Sequence, residues 1–196
     1  MGEEPYDEMD VALRFLESKE RIIIFLNPAI ENFQNSFSKM EMITAMDYIN
    51  SLSGRTRFIA IGIDYDPQVT AHVQAFIKSR IALPHRQEST SFVEAFAKHS
   101  SSFECVGREN TAKGLLQKAA GLCIRGEPVY IGGFYTETDV LMFCSTMFLS
   151  GFLPVIISDL CSSPSERAHF SALEVASRFS RIMDTRDIQR VNRNEN

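Results

Sequence analysis

Val129-Tyr130-Ile131-Gly132-Gly133-Phe134-Tyr135-Thr136-Glu137-Thr138-Asp139-Val140 is the stretch that decides the fold. A short apolar run leads into two glycines. Thr, Glu and Asp then precede the apolar series that starts at Val140. The pattern is a strand, a tight turn and a helix start. Downstream, the helix is expected over 137–150 with Gly151 as its stop, followed by a strand at 153–158, a helix at about 164–179 and a short strand at 181–184. Upstream, Arg21-Ile22-Ile23-Ile24-Phe25-Leu26 is almost wholly apolar, as in a strand buried on both faces. A long helix is expected over 28–52 and a second strand over 58–63. Asp66-Pro67 opens a helix to about residue 80, and a short helix covers 91–99. A weak strand near 103–106 and a helix over 110–124 complete the series. Strands alternate with helices throughout. The expected fold is therefore α/β, a single domain with a mainly parallel sheet of about six strands and helices on both faces. Residues 1–20 read as an acidic extension with a short helix over 8–18, residues 21–185 as the domain, and residues 186–196 as a polar, frayed tail.

The composition excludes several classes. The 196 residues suit one domain with a full core, and 44% hydrophobic with 23% charged residues is ordinary for a globular protein. A net charge of −5 spread along the chain argues against nucleic acid as a partner. No apolar run approaches the roughly 20 residues that span a bilayer, so no membrane association is expected. The N-terminal MGEEPYDEMD is acidic where a leader would be basic. The four cysteines, Cys105, Cys123, Cys144 and Cys161, form no CxxC pair and read as reduced, buried thiols. A cytoplasmic location follows as the expectation.

The turn at 133–140 resembles that of the isochorismatase-like cysteine hydrolases, which include the nicotinamidases. Their turn reads roughly G-x-x-T-x-x-C-V, and Gly151-Phe152-Leu153-Pro154-Val155-Ile156-Ile157-Ser158-Asp159 resembles their next strand. The resemblance covers about residues 21–185. It implies a non-proline cis peptide at Phe134–Tyr135 and a triad of Asp, Lys and Cys, in which the thiol attacks a carbonyl and the Asp takes its proton. Here the Cys position is Asp139. The Asp position is Asn27 when aligned by the strand and Pro28 when aligned by Phe33. The Lys position, through Glu104-Cys105-Val106-Gly107, is Val106. All three positions read as substituted. An Asp at 139 is a poor nucleophile towards amides without a neighbouring activating group. The vinyl-ether hydrolysis of family members that lack the Cys would need the acid that is missing at 27.

A second constellation matches the nicotinamidase metal site, Asp-x-His, a His six residues on, and a P-x-H. The counterparts are Asp64, Asp66, His72 and His85, the last in Leu83-Pro84-His85. Asp66 replaces the first His, and a carboxylate is an acceptable ligand for a divalent metal such as zinc. Asp66 is equally a helix N-cap ahead of Pro67. Competing structural readings exist elsewhere. Asp139 suits the first turn of a helix, Thr136 suits its N-cap, and Cys144 and Cys161 suit the core. His99 and His169 belong to no recognised motif and are expected at the surface, as are Arg178, Arg181, Arg186, Arg190 and Arg193. Met142, Phe143, Met147 and Phe148 give helix 137–150 more apolar surface than one face needs; core packing accounts for most of it, and a subunit interface is the alternative.

Three functional expectations follow. The first is a catalytically inactive member of the family, a scaffold or binding protein with a protein partner or homo-oligomer and no cofactor. The second is a metal-assisted hydrolase of an amide or related small molecule. The third is a small-molecule binder that uses the former pocket around Asn27, Val106, Phe134, Tyr135, Thr136 and Asp139.

Overall fold

The structure, a computed structural model, describes residues 8–28, 30–63, 103–109 and 112–194. Its strands are β1 (Glu20–Leu26), β2 (Arg55–Ile63), β3 (Phe103–Glu109), β4 (Pro128–Phe134), β5 (Leu153–Ser162) and β6 (Arg181–Met183). All pair in parallel, in the order β3-β2-β1-β4-β5-β6. The expected parallel sheet of about six strands is what forms. The helices are α1 (Glu8–Glu17), α2 (Ile30–Gln34), α3 (Lys39–Ser51), α4 (Ala112–Ala120), α5 (Leu141–Leu149), α6 (Glu166–Ala176) and α7 (Thr185–Asn194).

The period-two geometry of a strand sends alternate side chains to opposite faces, and both faces are apolar here. Ile23, Phe25, Phe58, Val155 and Ile157 join Val11, Ala12 and Phe15 of α1, Met42, Ala45, Met46 and Ile49 of α3, and Ile188 and Val191 of α7. Ile24, Leu26, Ile59, Ile61, Ile131 and Ile156 face the other way. They meet Ala119 of α4, Phe143, Cys144 and Met147 of α5, and Leu173 and Ala176 of α6. Of the cysteines read as buried, Cys144 and Cys161 lie in this core, Cys123 is only half-buried, and the side chain of Cys105 lies outside the described residues.

Helix α1 is held by a buried cation. Arg21 donates to the Phe15 and Leu16 carbonyls at 2.6 and 2.8 Å and to the Ser53 carbonyl at 2.7 Å. The guanidinium thereby satisfies carbonyls that the end of α1 leaves open. Tyr130 adds a hydrogen bond to the Val11 carbonyl at 2.9 Å and an edge-on contact with Phe15.

Two stretches differ from the sequence expectation. The helix over 28–52 is two helices, α2 and α3, with a turn between them. Ser36 bonds back to the Phe33 carbonyl, the Phe37 N–H donates to the Ser163 carbonyl at 3.0 Å, and the Ser38 and Ser162 hydroxyls meet at 2.7 Å. Side chains that bond backbone locally break a helix, and here the break ties it to the end of β5. The tail expected to fray is helix α7 instead. Ile188 and Val191 are buried three residues apart, and Asp159 accepts from the N–H and hydroxyl of Thr185 at the helix start.

Candidate functional site

The sheet order reverses direction between β1 and β4. From there the chain proceeds to β2 and β3 on one side and to β5 and β6 on the other. In open parallel sheets the crevice beyond the carboxyl ends at such a point is where ligands gather. Asn27 follows β1 at this point, and the turn Tyr135–Asp139 follows β4.

Close backbone approach brings them together. Gly133 has φ +122° and lies opposite Leu26, where a Cβ would fall 2.3 Å from the Leu26 carbonyl oxygen and 2.4 Å from its nitrogen. Only glycine fits. The next peptide bond, Phe134–Tyr135, is cis, as the family resemblance implied.

Asn27 adopts the left-handed conformation, φ 47°, which Asn tolerates better than most residues. Its N–H donates to the Ile61 carbonyl at 2.9 Å, and its side-chain Oδ1 accepts from the Ile63 N–H at 2.6 Å. The side chain thus extends the β1–β2 ladder one rung past the strand. Because the Ile63 N–H is a fixed donor, Oδ1 must be the atom facing it. Nδ2 is left buried without a hydrogen-bond partner among the described residues. The Asn32 amide closes the loop onto the Asn27 carbonyl at 3.1 Å.

Residues 136–140 form a π-helical turn before α5, in which the Val140 N–H reaches the Tyr135 carbonyl at 3.2 Å. Such turns recur at functional sites. Thr136 is not the N-cap: Tyr135 holds that place, and its N–H is satisfied from four residues downstream by Asp139 Oδ2 at 3.3 Å. The arrangement is the reaching-back half of a capping box, stretched by one residue because the turn is π. Thr138 Oγ1 donates to the same oxygen at 3.3 Å. Asp139 is fully buried, and its Oδ1 has no hydrogen-bond partner among the described residues. Burial pushes its pKa up to about 7, against the Tyr135 N–H and the nearby Asn27 amide, which favour the ionised form. Asn27 therefore lies close enough to Asp139 for its dipole to act, while making no hydrogen bond of normal length to it.

Thr136 turns its hydroxyl to the other side. Oγ1 donates to the Ser162 carbonyl at 3.1 Å and lies 2.8 Å from His169 Nδ1. With its proton on Ser162, Thr136 accepts from Nδ1–H, which leaves Nε2 as the unprotonated nitrogen. His169 is 4% exposed, not at the surface, and burial pushes its pKa down to about 4. Phe37 and Phe170 flank its ring edge-on, with centroids at 5.2 and 5.0 Å. The sequence does carry a signal for this position. His169, Ala172, Leu173 and Ala176 have the i, i+3, i+4, i+7 spacing of a buried helix face, and all four are buried.

The structure thus brings together Asn27, Phe134, Tyr135, Thr136 and Asp139. The two aromatic rings are enclosed, and Phe134 packs edge-on against Phe25 at 5.8 Å. Val106 lies in β3, with β2 between it and β1. Asp64, Asp66, His72 and His85 lie outside the described residues, as does His99. Among the described residues no group of three or more His, Cys, Asp or Glu is placed to hold a metal ion. Chemically, the turn offers a buried carboxyl that exchanges its proton near neutrality beside an amide that cannot take one.

Residues 113–187 match the family model of the Isochorismatase domain. A search of curated proteins finds no match. Among solved structures, the chain is similar to PnC1 from L. infantum, in complex with nicotinate, at 12% identity over 88% of this chain and 96% of that one, with a TM-score of 0.60. An isochorismatase-like hydrolase from Alkaliphilus metalliredigens is 12% identical over 90% and 99%, with a TM-score of 0.56. The YcaC gene product of Escherichia coli, an octameric hydrolase of unknown specificity, is 13% identical over 95% and 82%, with a TM-score of 0.52. Sheet order and the likeness to these solved structures agree: the chain has the isochorismatase-like hydrolase fold, and its residues 113–187 match the Isochorismatase domain model.

Proposed function

We propose that this chain is a catalytically silent member of the isochorismatase-like fold that serves as a scaffold or binding protein. The observation that carries the reading is the use made of Asp139. Where the family resemblance calls for a thiol nucleophile, the chain has an enclosed carboxyl whose Oδ2 closes the backbone of its own turn. Asn27, where the resemblance calls for a base, commits Oδ1 to the Ile63 N–H and has no proton-accepting nitrogen. With no thiol at the turn, and its one carboxyl enclosed and bonded to its own backbone, the turn offers no nucleophile for acyl transfer. The reading implies a protein partner or a homo-oligomer. The octameric YcaC product offers a precedent within the fold. Buried Cys144 and Cys161, both free, fit a reducing cytoplasm.

The test is turnover of a panel of primary amides by the full chain beside Asp139→Ala. The expected result is no hydrolysis above the buffer rate by either protein. Robust turnover that Asp139→Ala abolishes would overturn the reading.

One observation favours a second reading, retention of the pocket for a small molecule. Asn27 Nδ2 and Asp139 Oδ1 are a buried donor and acceptor without partners of their own among the described residues. A planar ligand that presents an acceptor and a donor side by side would satisfy both. Nicotinate and nicotinamide are the first ligands to try by thermal shift, since PnC1 was solved with nicotinate. A stabilisation lost in Asn27→Leu and Asp139→Leu supports this reading, and a null result across related ring compounds removes it.

A further inference from the structure

The chain carries −5 overall, yet residues 178–193 hold five Arg against two Asp. Helix α7 buries Ile188 and Val191 and leaves Arg186, Arg190 and Arg193 exposed. Their i, i+4, i+7 spacing puts the three Arg on one stripe about 10 Å long. The two Asp of the segment are committed to the helix start. Asp184 Oδ1 accepts from the Arg186 and Asp187 N–H groups at 2.8 and 3.1 Å, and Asp187 Oδ2 accepts from the Asp184 N–H at 2.9 Å, a capping box. Asp187 Oδ1 also meets Arg190 at 3.2 Å, but that Arg side chain is 76% exposed and the pair is worth little. Arg186 and Arg193 have no ion pair among the described residues.

Helix stability does not account for the stripe. Arg186 and Arg190 repel as like charges at i, i+4, and Arg186 in the first turn opposes the helix dipole. Residue choice points to recognition. No Lys occurs after Lys118, so the basic residues of this end are all Arg. Arg is enriched and Lys depleted at protein interfaces, and the planar guanidinium fork pairs with carboxylates in bidentate fashion. The surroundings select the occupant. Helix α1 shares its core with α7 and shows the exposed carboxylates of Asp10 and Glu17. A nucleic-acid duplex or an anionic membrane carries its phosphates far beyond so short a stripe and would set them against this acidic surface. A short acidic segment does not. Arg186 and Arg190 stand about 6 Å apart along the helix axis, and alternate side chains of an extended segment stand about 7 Å apart. Successive carboxylates on one side of such a segment therefore meet successive Arg. We propose that the outer stripe of α7, Arg186, Arg190 and Arg193, docks an extended acidic segment of a partner protein. The inference supplies the partner chemistry of the scaffold reading and rests on that reading for its purpose. Peptide binding and amide turnover are separate readouts, so each can fail alone.

The test is fluorescence anisotropy of a fluorescein-labelled ten-residue Glu-Ser repeat, whose alternation puts every Glu on one side. The full chain is titrated at about 0.1 M salt, where exposed charges more than about 10 Å apart are largely screened. Wild type should bind, and affinity should fall about tenfold or more in Arg186→Glu/Arg190→Glu/Arg193→Glu. Lys19→Glu/Lys113→Glu/Lys118→Glu makes the same change in net charge outside the stripe and should stay within about twofold of wild type. Arg186→Lys/Arg190→Lys/Arg193→Lys keeps the charge and loses the fork, and should bind about threefold or more weaker. Circular dichroism checks that each variant is folded, and the Lys variant carries the test if the charge reversal is not. A wild type that does not bind the peptide overturns the proposal. So does an equal loss in the Lys19/Lys113/Lys118 control, or unchanged affinity in the Arg-to-Lys variant. Tighter binding of wild type to phosphatidylserine vesicles or to a DNA duplex than to the peptide overturns the choice of partner.

Discussion

Two buried titratable residues, Asp139 and His169, push the stability of this protein in opposite directions. Folding raises the Asp139 carboxyl from an ordinary 3.8 to about 7 by burial. Between those values the folded chain keeps a proton that the unfolded chain has lost, so stability falls as pH rises from about 4 to about 7. Folding lowers His169 from 6.5 to about 4, also by burial. There the unfolded chain holds the extra proton, so stability rises from about 4 to about 6.5. Over that shared window the two slopes offset. Asp139→Asn should remove the falling slope, and its stability relative to wild type should grow with pH by up to about 4 kcal/mol. His169→Gln should remove the rising slope and leave the fall exposed. Urea melts across this range read both effects, and parallel pH profiles for all three proteins would refute the assignment. At Gly133 the expectation is harsher. A Cβ 2.3 Å from the Leu26 carbonyl oxygen cannot be accommodated by a side-chain shift, since the obstacle is backbone. Gly133→Ala should cost several kcal/mol, about the whole margin of a domain this size, and yield little folded protein. A soluble variant with wild-type melting would contradict the close approach.

The elements show how much was legible. The apolar runs of β1, β2, β4 and β5 and the glycines between them define strands whatever their partners, because a strand buried on both faces leaves a simple signature. The turn at 133–140 was legible for the same reason: its glycine answers a local steric demand. What escaped was decided by partners far away in sequence. The split between α2 and α3 depends on Ser162 and Ser163, more than a hundred residues on. The α7 helix is strongly polar on average, and its two buried residues acquire meaning only once α1 and the sheet are in place. His169 was misread as exposed because a histidine belonging to no motif was judged by its polarity, although its spacing with Ala172, Leu173 and Ala176 marked the buried face. The three-carbonyl clamp of Arg21 was equally invisible, and it carries its own prediction. Arg21→Met should lose three hydrogen bonds from a charged donor and strand buried carbonyls, destabilising the chain by about 3 kcal/mol. Hydrogen exchange should show the amides of α1 losing protection first. Unchanged α1 protection in a folded Arg21→Met would remove the clamp from the account.

Taken as a whole, the molecule is a sheet closed on one face by α4, α5 and α6 and on the other by α1, α3 and α7. Sequence composition marked residues 186–196 as peripheral, whereas Ile188 is fully buried and Asp159 holds the start of the helix. A truncation after Asp184 should therefore destabilise the entire fold rather than trim it. Ile188→Ala alone should cost roughly 2–4 kcal/mol in chemical denaturation. A truncated chain that unfolds at the wild-type denaturant midpoint would restore the tail to the periphery. Among the described residues no helix is long and apolar enough to cross a membrane.

The packing of α1 against α7 has a temporal side. Helix α1 is made well over a hundred residues before α7 and Tyr130, the partners that bury and anchor it. Ten residues of helix are marginal in water by themselves, so α1 must wait as an exposed amphipathic segment while the rest of the chain is synthesised. Its apolar stripe, Val11, Ala12 and Phe15, is then available to chaperones or to neighbouring chains. Closure of that face is a long-range event, and its entropy must be met before any contact rewards it.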